Sequence, residues 1–273
     1  MRVRSETLMT RLLATVLIVL AASVASAANE AREILDHWRQ LEETTRHWTD
    51  LHQKLTLHVF YRGGGSQENQ LELFEKRSPD KERKTVTFVL APAEAKGTGF
   101  LALVHPGRPP EQWLYLPDIK RVRQIAANMR DESFIGSDLT YRDMNVLAEM
   151  LSWTEDDATA ALRADETLDG TACRQIELTP KREEIGYKRI VLCLGKDDFT
   201  VRKLELYDDA PEPRKRIREA DVRLVGAIPV PYKTTIETPR TGSHTEITVD
   251  EVKFDEGLKD DLFTQRQLER GGR

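Results

Sequence analysis

Positive charge is in short supply in this sequence. Its 41 lysines and arginines are outnumbered by 46 aspartates and glutamates, a formal net charge of −5. An acidic surface argues against nucleic acid as a partner, because phosphates require a basic face. Cysteine is scarcer still, with two in 273 residues, and no clustered C-x-x-C occurs. A G-x-S-x-G nucleophile elbow, an H-E-x-x-H zinc helix and a Walker glycine loop are all missing. The six histidines (37, 47, 52, 58, 105 and 244) have no metal-ligand spacing, and adjacent acids such as Asp156-Asp157 and Asp260-Asp261 would point to opposite faces of a strand. Ser137 has no base marked near it. We therefore expect a non-enzyme, with no cofactor and no metal, and no part for nucleic acid. There is no fixed-period repeat, no linker and no low-complexity segment, so one domain of barrel or sandwich type is expected.

Long apolar runs are also lacking. The longest, LLATVLIVLAASVA (12–25), falls short of the ~20 residues a membrane-spanning helix needs. It follows Arg2, Arg4 and Arg11 and precedes Ala25-Ser26-Ala27. A charged start, a short apolar stretch and small residues at a cut site read as a cleaved signal peptide over 1–27. The expected location is the periplasm. The remaining 246 residues carry −7, since the leader holds three arginines and one glutamate.

What is present is alternation. KLTLHVFYR (54–62), QLELFEKR (70–77), KTVTFVL (84–90), GTGFLALVH (97–105) and QWLYLP (112–117) each place apolar residues on one face. Further strands are expected at 157–168, 171–180, 187–194, 199–208, 214–225, 232–238 and 244–254. The basic cluster PRKRIR (213–218) reads as a solvated strand face. Three helical stretches accompany the strands. Residues 29–47 carry Ile34, Leu35, Trp38 and Leu41 as one stripe, with Asn29 as the cap. Residues 258–271 close the chain with a short helix. So long an antiparallel meander must curl to hide its edges, with helices against its concave face. The mouth of such a rolled sheet is a common place for ligands.

Cys173 and Cys193 fall on two strands joined by the KREEIG turn (181–186). If Pro180 faces Gly186, the two cysteines face each other directly. A disulfide is then expected in an oxidising compartment, the alternative being two reduced thiols in the core.

Residues 113–144 combine a hairpin, WLYLPDIKRVRQI, with a stretch of no clear period that contains Phe134, Gly136 and Tyr141. Gly136 permits a sharp redirection. Thr140-x-x-Asp143 then matches a helix-start pattern, followed at helical spacing by Met144, Leu147, Ala148 and Leu151. Catalytic groups are absent from this segment. A movable apolar flap, with methionine and aromatics adapting to varied ligands, is the expectation; an ordinary core helix is the alternative.

The motif W-L-Y-L-P (113–117), K-R-V-R (120–123) and S-F-x-G-S-D-L-T-Y (133–141) resembles the LolA-like outer-membrane lipoprotein-sorting family. KGTGFL (96–101), DGTACRQIELTP (169–180) and DDLFTQRQLER (260–270) agree with it. The resemblance implies a mainly β fold with a few helices, in which a curved antiparallel sheet forms an incomplete, unclosed β-barrel around an apolar cavity plugged by helices. It also implies a single domain over 28–273 that carries lipid or lipid-modified protein cargo across the periplasm, touching membranes transiently, with an inner-membrane lipid exporter as a possible partner. Phe100, Trp113, Tyr115, Phe134, Tyr141, Met144 and Leu147 are the candidate lipid-binding residues. A non-catalytic docking or regulatory module for envelope stress is the alternative.

Overall fold

In strand β1 (Asp50–Phe60) the residues Leu51, Gln53, Leu55, Leu57 and Val59 share a face, while His52, Lys54, Thr56 and His58 share the other. That division extends across a computed structural model that describes residues 27–271. Apart from Ala27, the expected leader lies outside the described residues. Among the described residues, fourteen strands form one antiparallel sheet. They are β1, β2 (Ser66–Arg77), β3 (Arg83–Ala91), β4 (Gly99–Val104), β5 (Glu111–Leu116), β6 (Arg121–Gln124), β7 (Ala158–Leu162), β8 (Glu166–Leu168), β9 (Thr171–Pro180), β10 (Arg189–Gly195), β11 (Val201–Tyr207), β12 (Lys215–Val225), β13 (Ile228–Thr238) and β14 (Ser243–Phe254). The order β6-β5-β4-β3-β2-β1-β14-β13-β12-β11-β10-β9-β7, with β8 beside β9, leaves β6 and β7 at opposite edges. The sheet is curved and unclosed, as expected.

Among the described residues three α-helices accompany it: α1 (27–43), α2 (Tyr141–Glu149) and α3 (Gln265–Arg270). Of the stripe read for α1, Ile34, Leu35 and Trp38 are joined by Ala31 and packed on Ile176, Ile190, Leu204, Ile217 and Ile236 of the concave face, while Leu41 is half-buried and lies outside this cluster. Asn29 is not its cap, because the chain is already helical at residue 27. The helix also stops at 43 rather than 47, where Arg46 N–H turns back to Leu41 O at 2.9 Å. On the opposite face α3 contributes Leu268, packed with Phe263 against Val86, Phe88, Leu101 and Trp113.

The cysteine hairpin is real but its register differs from the expected one. Cys193 lies opposite Gln175, and Cys173 opposite Gly195. A 3-10 turn, Glu183–Ile185, widens the connection, and Pro180 pairs with Ala158 of β7 instead. The slip is two residues, so both cysteines keep the same face. They sit diagonally on neighbouring strands, buried and unbonded. Burial, followed by a hydrogen bond to the Cys173 thiol, pushes the Cys193 thiol above its ordinary range.

The segment 126–151 packs as a plug against the sheet, the core arrangement that was the alternative to a flap. Ile135 and Gly136 both take positive φ, 46° and 77°, which makes the redirection. Thr140 and Asp143 then form a capping box at the start of α2, with Thr140 N–H donating to Asp143 Oδ2 at 2.8 Å. Asp143 is wholly buried and also accepts from the Tyr187 hydroxyl. Asp138 accepts from the hydroxyls of Thr238 (2.5 Å), Ser243 (2.6 Å) and Thr245 (2.9 Å) on β13 and β14. Buried charge-assisted bonds of this kind are strong, and they hold the plug to strands about a hundred residues away. Lys215 belongs to the same cluster, donating to Thr238 Oγ1 at 2.7 Å. Burial lowers its pKa, while Asp143 and Asp138 draw it back up. Part of PRKRIR is thus interior, contrary to its solvated reading.

Candidate functional site

Prolines open the site. On β13, Pro229 and Pro231 lack the N–H that a strand with two neighbours must donate. They still pair with Leu224 and Val222 of β12, but the β13–β14 ladder stops at Lys233 and Thr248. Beyond that point β14 follows β1, from Val249 opposite Leu55 to Phe254 opposite Leu51. The sheet forks, and a crevice of about 270 Å³ lies in the fork below α1. Its walls are mainly apolar: Trp38, Trp48, Phe199, Ile228, Val230 and Phe254 among them. A second hollow, of about 320 Å³, shares Glu42, Arg77 and Leu151 with the first and continues past α1 towards Pro79 and Pro106. Each hollow is near the lower end of the range for small-molecule sites.

Charge at this end is largely paired. Glu75 is buried and accepts from Arg83 Nε at 2.8 Å and Arg77 Nε at 3.4 Å. Burial alone would raise the Glu75 carboxyl, but the two arginines outweigh it and hold it below its ordinary value. The Arg77 guanidinium lies 3.5 Å over the Trp48 ring, and burial, with the like charge of Arg83, brings its pKa down to about 10. Arg83 also donates to Ala148 O at 2.8 Å, tying the end of α2 to the rim. Arg46 pairs with Glu42 at 3.3 Å and donates to the Asp198 carbonyl. Glu219, on β12, lines the crevice without a hydrogen bond or ion pair within reach. Burial, with a smaller push from Glu42 and against the pull of Arg202, raises its carboxyl to about 7.

The seven residues singled out from the sequence lie elsewhere. Phe100, Phe134 and Tyr141 pack together on the concave side, with ring centroids 5.5 to 6.2 Å apart, and Met144 lies against them. Leu147 packs beside the α1 cluster. Trp113 and Tyr115 face the other way, onto Phe263 and Leu268. None of the seven lines either hollow. Trp48, Phe199, Phe254 and Glu219 went unnoticed, though the IPVP run (228–231) inside an otherwise regular strand is a sequence signal for the fork. Among the described residues no cluster of His, Cys, Asp or Glu could hold a metal ion, and no helix is long and apolar enough to cross a membrane.

A family model described as uncharacterized-protein-like matches residues 81–270, from β3 to the end of α3. No curated protein matches the sequence. Three solved structures share its architecture. An outer membrane lipoprotein-sorting protein domain from Vibrio parahaemolyticus is 24% identical with a TM-score of 0.80, over 89% of this chain and 100% of that one. A DUF1329 family protein from Desulfovibrio piger is 24% identical with a TM-score of 0.79, over 87% and 98%. A LolA superfamily protein from Nitrosomonas europaea is 15% identical with a TM-score of 0.63, also over 87% and 98%. At such identities the likeness is one of fold, and function has to be argued from the site.

Proposed function

We propose that this chain, which belongs to the uncharacterized-protein-like family matched over residues 81–270 and has a LolA-like fold, is a non-catalytic carrier of lipid in the periplasm. In this reading it shields acyl chains of a lipid or lipid-modified protein during transfer to the outer membrane, or to and from an inner-membrane exporter. The observation that carries the reading is the apolar crevice at the β13–β14 fork. Its walls offer tryptophan, phenylalanine, valine and proline, and of its charged groups Glu42 and Arg46 pair with each other and Arg77 pairs with the neighbouring Glu75. Each methylene moved from water into such a place gains ~0.8 kcal/mol, so six buried methylenes would give roughly 5 kcal/mol before the costs of ordering are deducted.

The test is native mass spectrometry of protein purified from its own envelope without detergent, followed by lipid extraction. A bound lipid near one per chain is expected. An empty protein that also takes up no fluorescent amphiphile, whether its head group is an amine, an alcohol or a fatty acid, would overturn the carrier reading and leave a partner-docking module in its place.

A further inference from the structure

Glu219 is the one acidic side chain of the crevice that nothing else engages. Glu42 is held by Arg46, and Arg77 is shared between Glu75 and the face of Trp48. Arg202 would be the natural partner of Glu219, since Lys203 pairs with Arg218 and the next step along β11 and β12 sets the two opposite each other. It turns instead to Asp198. The Arg202 Nε itself is buried without a partner, so Arg202 gives Glu219 no hydrogen bond. The carboxyl therefore faces a space walled by Trp38, Phe199 and Val230. An apolar wall does not solvate a carboxylate, and Glu219 is half-buried, so cargo that expels the remaining water would leave its acceptors unmade at a cost.

Resting on the carrier reading, we infer that Glu219 determines specificity in the crevice: it accepts a hydrogen bond from an amine, hydroxyl or amide N–H close to the acyl chain of the cargo. A ligand with such a donor satisfies the carboxyl when water is expelled. A ligand with an anionic group at that depth meets Glu219 and Glu42 together and finds Arg46 and Arg77 already occupied. The class of cargo is thus an amino- or hydroxy-bearing amphiphile, and an ionised fatty acid is disfavoured.

Three probes of equal chain length, decylamine, decanol and decanoate, separate the possibilities at pH 8, with binding followed by tryptophan fluorescence, since Trp38 and Trp48 line the walls. Delipidated full-length protein should prefer decylamine to decanoate by roughly tenfold or more, the ratio that 1.4 kcal/mol produces. Glu219→Gln, which keeps the shape, should remove most of that preference, and Glu219→Leu should remove the rest while still admitting decanol. Val230→Trp, which fills the crevice, should abolish all three. If Glu219→Gln keeps the amine preference, the role of Glu219 is refuted and crevice binding stands. If Val230→Trp binds every probe as the parent does, or the parent binds none, the carrier reading at this crevice falls.

Discussion

Replacing Glu219 by glutamine should make the protein more stable, and only above mildly acidic pH. The folded chain holds this carboxyl at about 7 against an ordinary 4.5. At ~1.4 kcal/mol per tenfold change in proton affinity, ionising it in place costs on the order of 3 kcal/mol. Water entering the crevice reduces this, and about 1–3 kcal/mol is the working range. The sign follows from proton counting. Between pH 4.5 and 7 the unfolded chain has released this proton and the folded chain still binds it, so the folded state is penalised progressively as pH rises. Glutamine carries no such penalty. Glu42, Arg46, Arg77, Asp198 and Arg202 surround the site in both proteins, so the comparison isolates the charge of Glu219. Urea unfolding of both proteins from pH 4 to 8.5 should give curves that converge below about pH 4.5 and separate by about 1–3 kcal/mol above pH 7. At this chain length each kilocalorie moves the melting temperature by about 2–4 °C, so a thermal scan checks the same point. Parallel curves, or a variant less stable at pH 8, would refute the argument.

Other expectations concern the plug, the outer face and the cysteines. Asp143→Ala removes the reciprocal half of the α2 capping box, leaving Thr140 N–H without its acceptor, and strands the Tyr187 hydroxyl; a loss of about 2–4 kcal/mol in chemical unfolding is expected, and a loss under 0.5 kcal/mol would show that the plug is not anchored there. Trp113→Ala should cost about 3–5 kcal/mol in stability, because the ring packs on Phe263 and Leu268, yet leave probe affinity of the folded protein unchanged in equilibrium titration. Cys173 and Cys193 resist alkylation in the native state, being fully buried. In protein exported through an oxidising compartment we expect them joined, adding roughly 3 kcal/mol. Mass analysis after denaturing alkylation without reductant decides it, and two alkylated thiols would sink the bridge.

Most strands were legible because their side chains repeat with a period of two, which is a local property. The turn at Pro117-Asp118 likewise stands where β5 and β6 meet, with Leu116 opposite Arg121. The start of α2 was legible for a similar reason, since a capping box is written within four residues. The motif S-F-x-G-S-D-L-T-Y now has a physical meaning. Gly136 makes the bend, Asp138 binds three hydroxyls of β13 and β14, and Thr140 with Asp143 caps the helix. Its partners Thr238, Ser243, Thr245 and Tyr187 could not be seen, because they approach only after the sheet has curled. The same limit explains the flap: apolar residues near glycine suggest mobility when the residues that pin them lie far along the chain.

By itself, then, the sequence determined the strands, the amphipathic first helix, the capped second helix and the alternation that gives each strand one apolar face. Only the tertiary structure decided which of those faces looks inward. Phe100 and Trp113 lie on neighbouring strands, but pairing puts Leu101 opposite Trp113 and Leu114 opposite Phe100, so the two aromatics point to opposite sides. The two-residue shift of the cysteine hairpin, the burial of Lys215 and the crevice itself were settled at the same level. Alternation distinguishes one face from the other, but which is concave depends on the pairing of every strand at once and on where the ladder breaks. Here it breaks at two prolines, and Glu219 is left facing the gap.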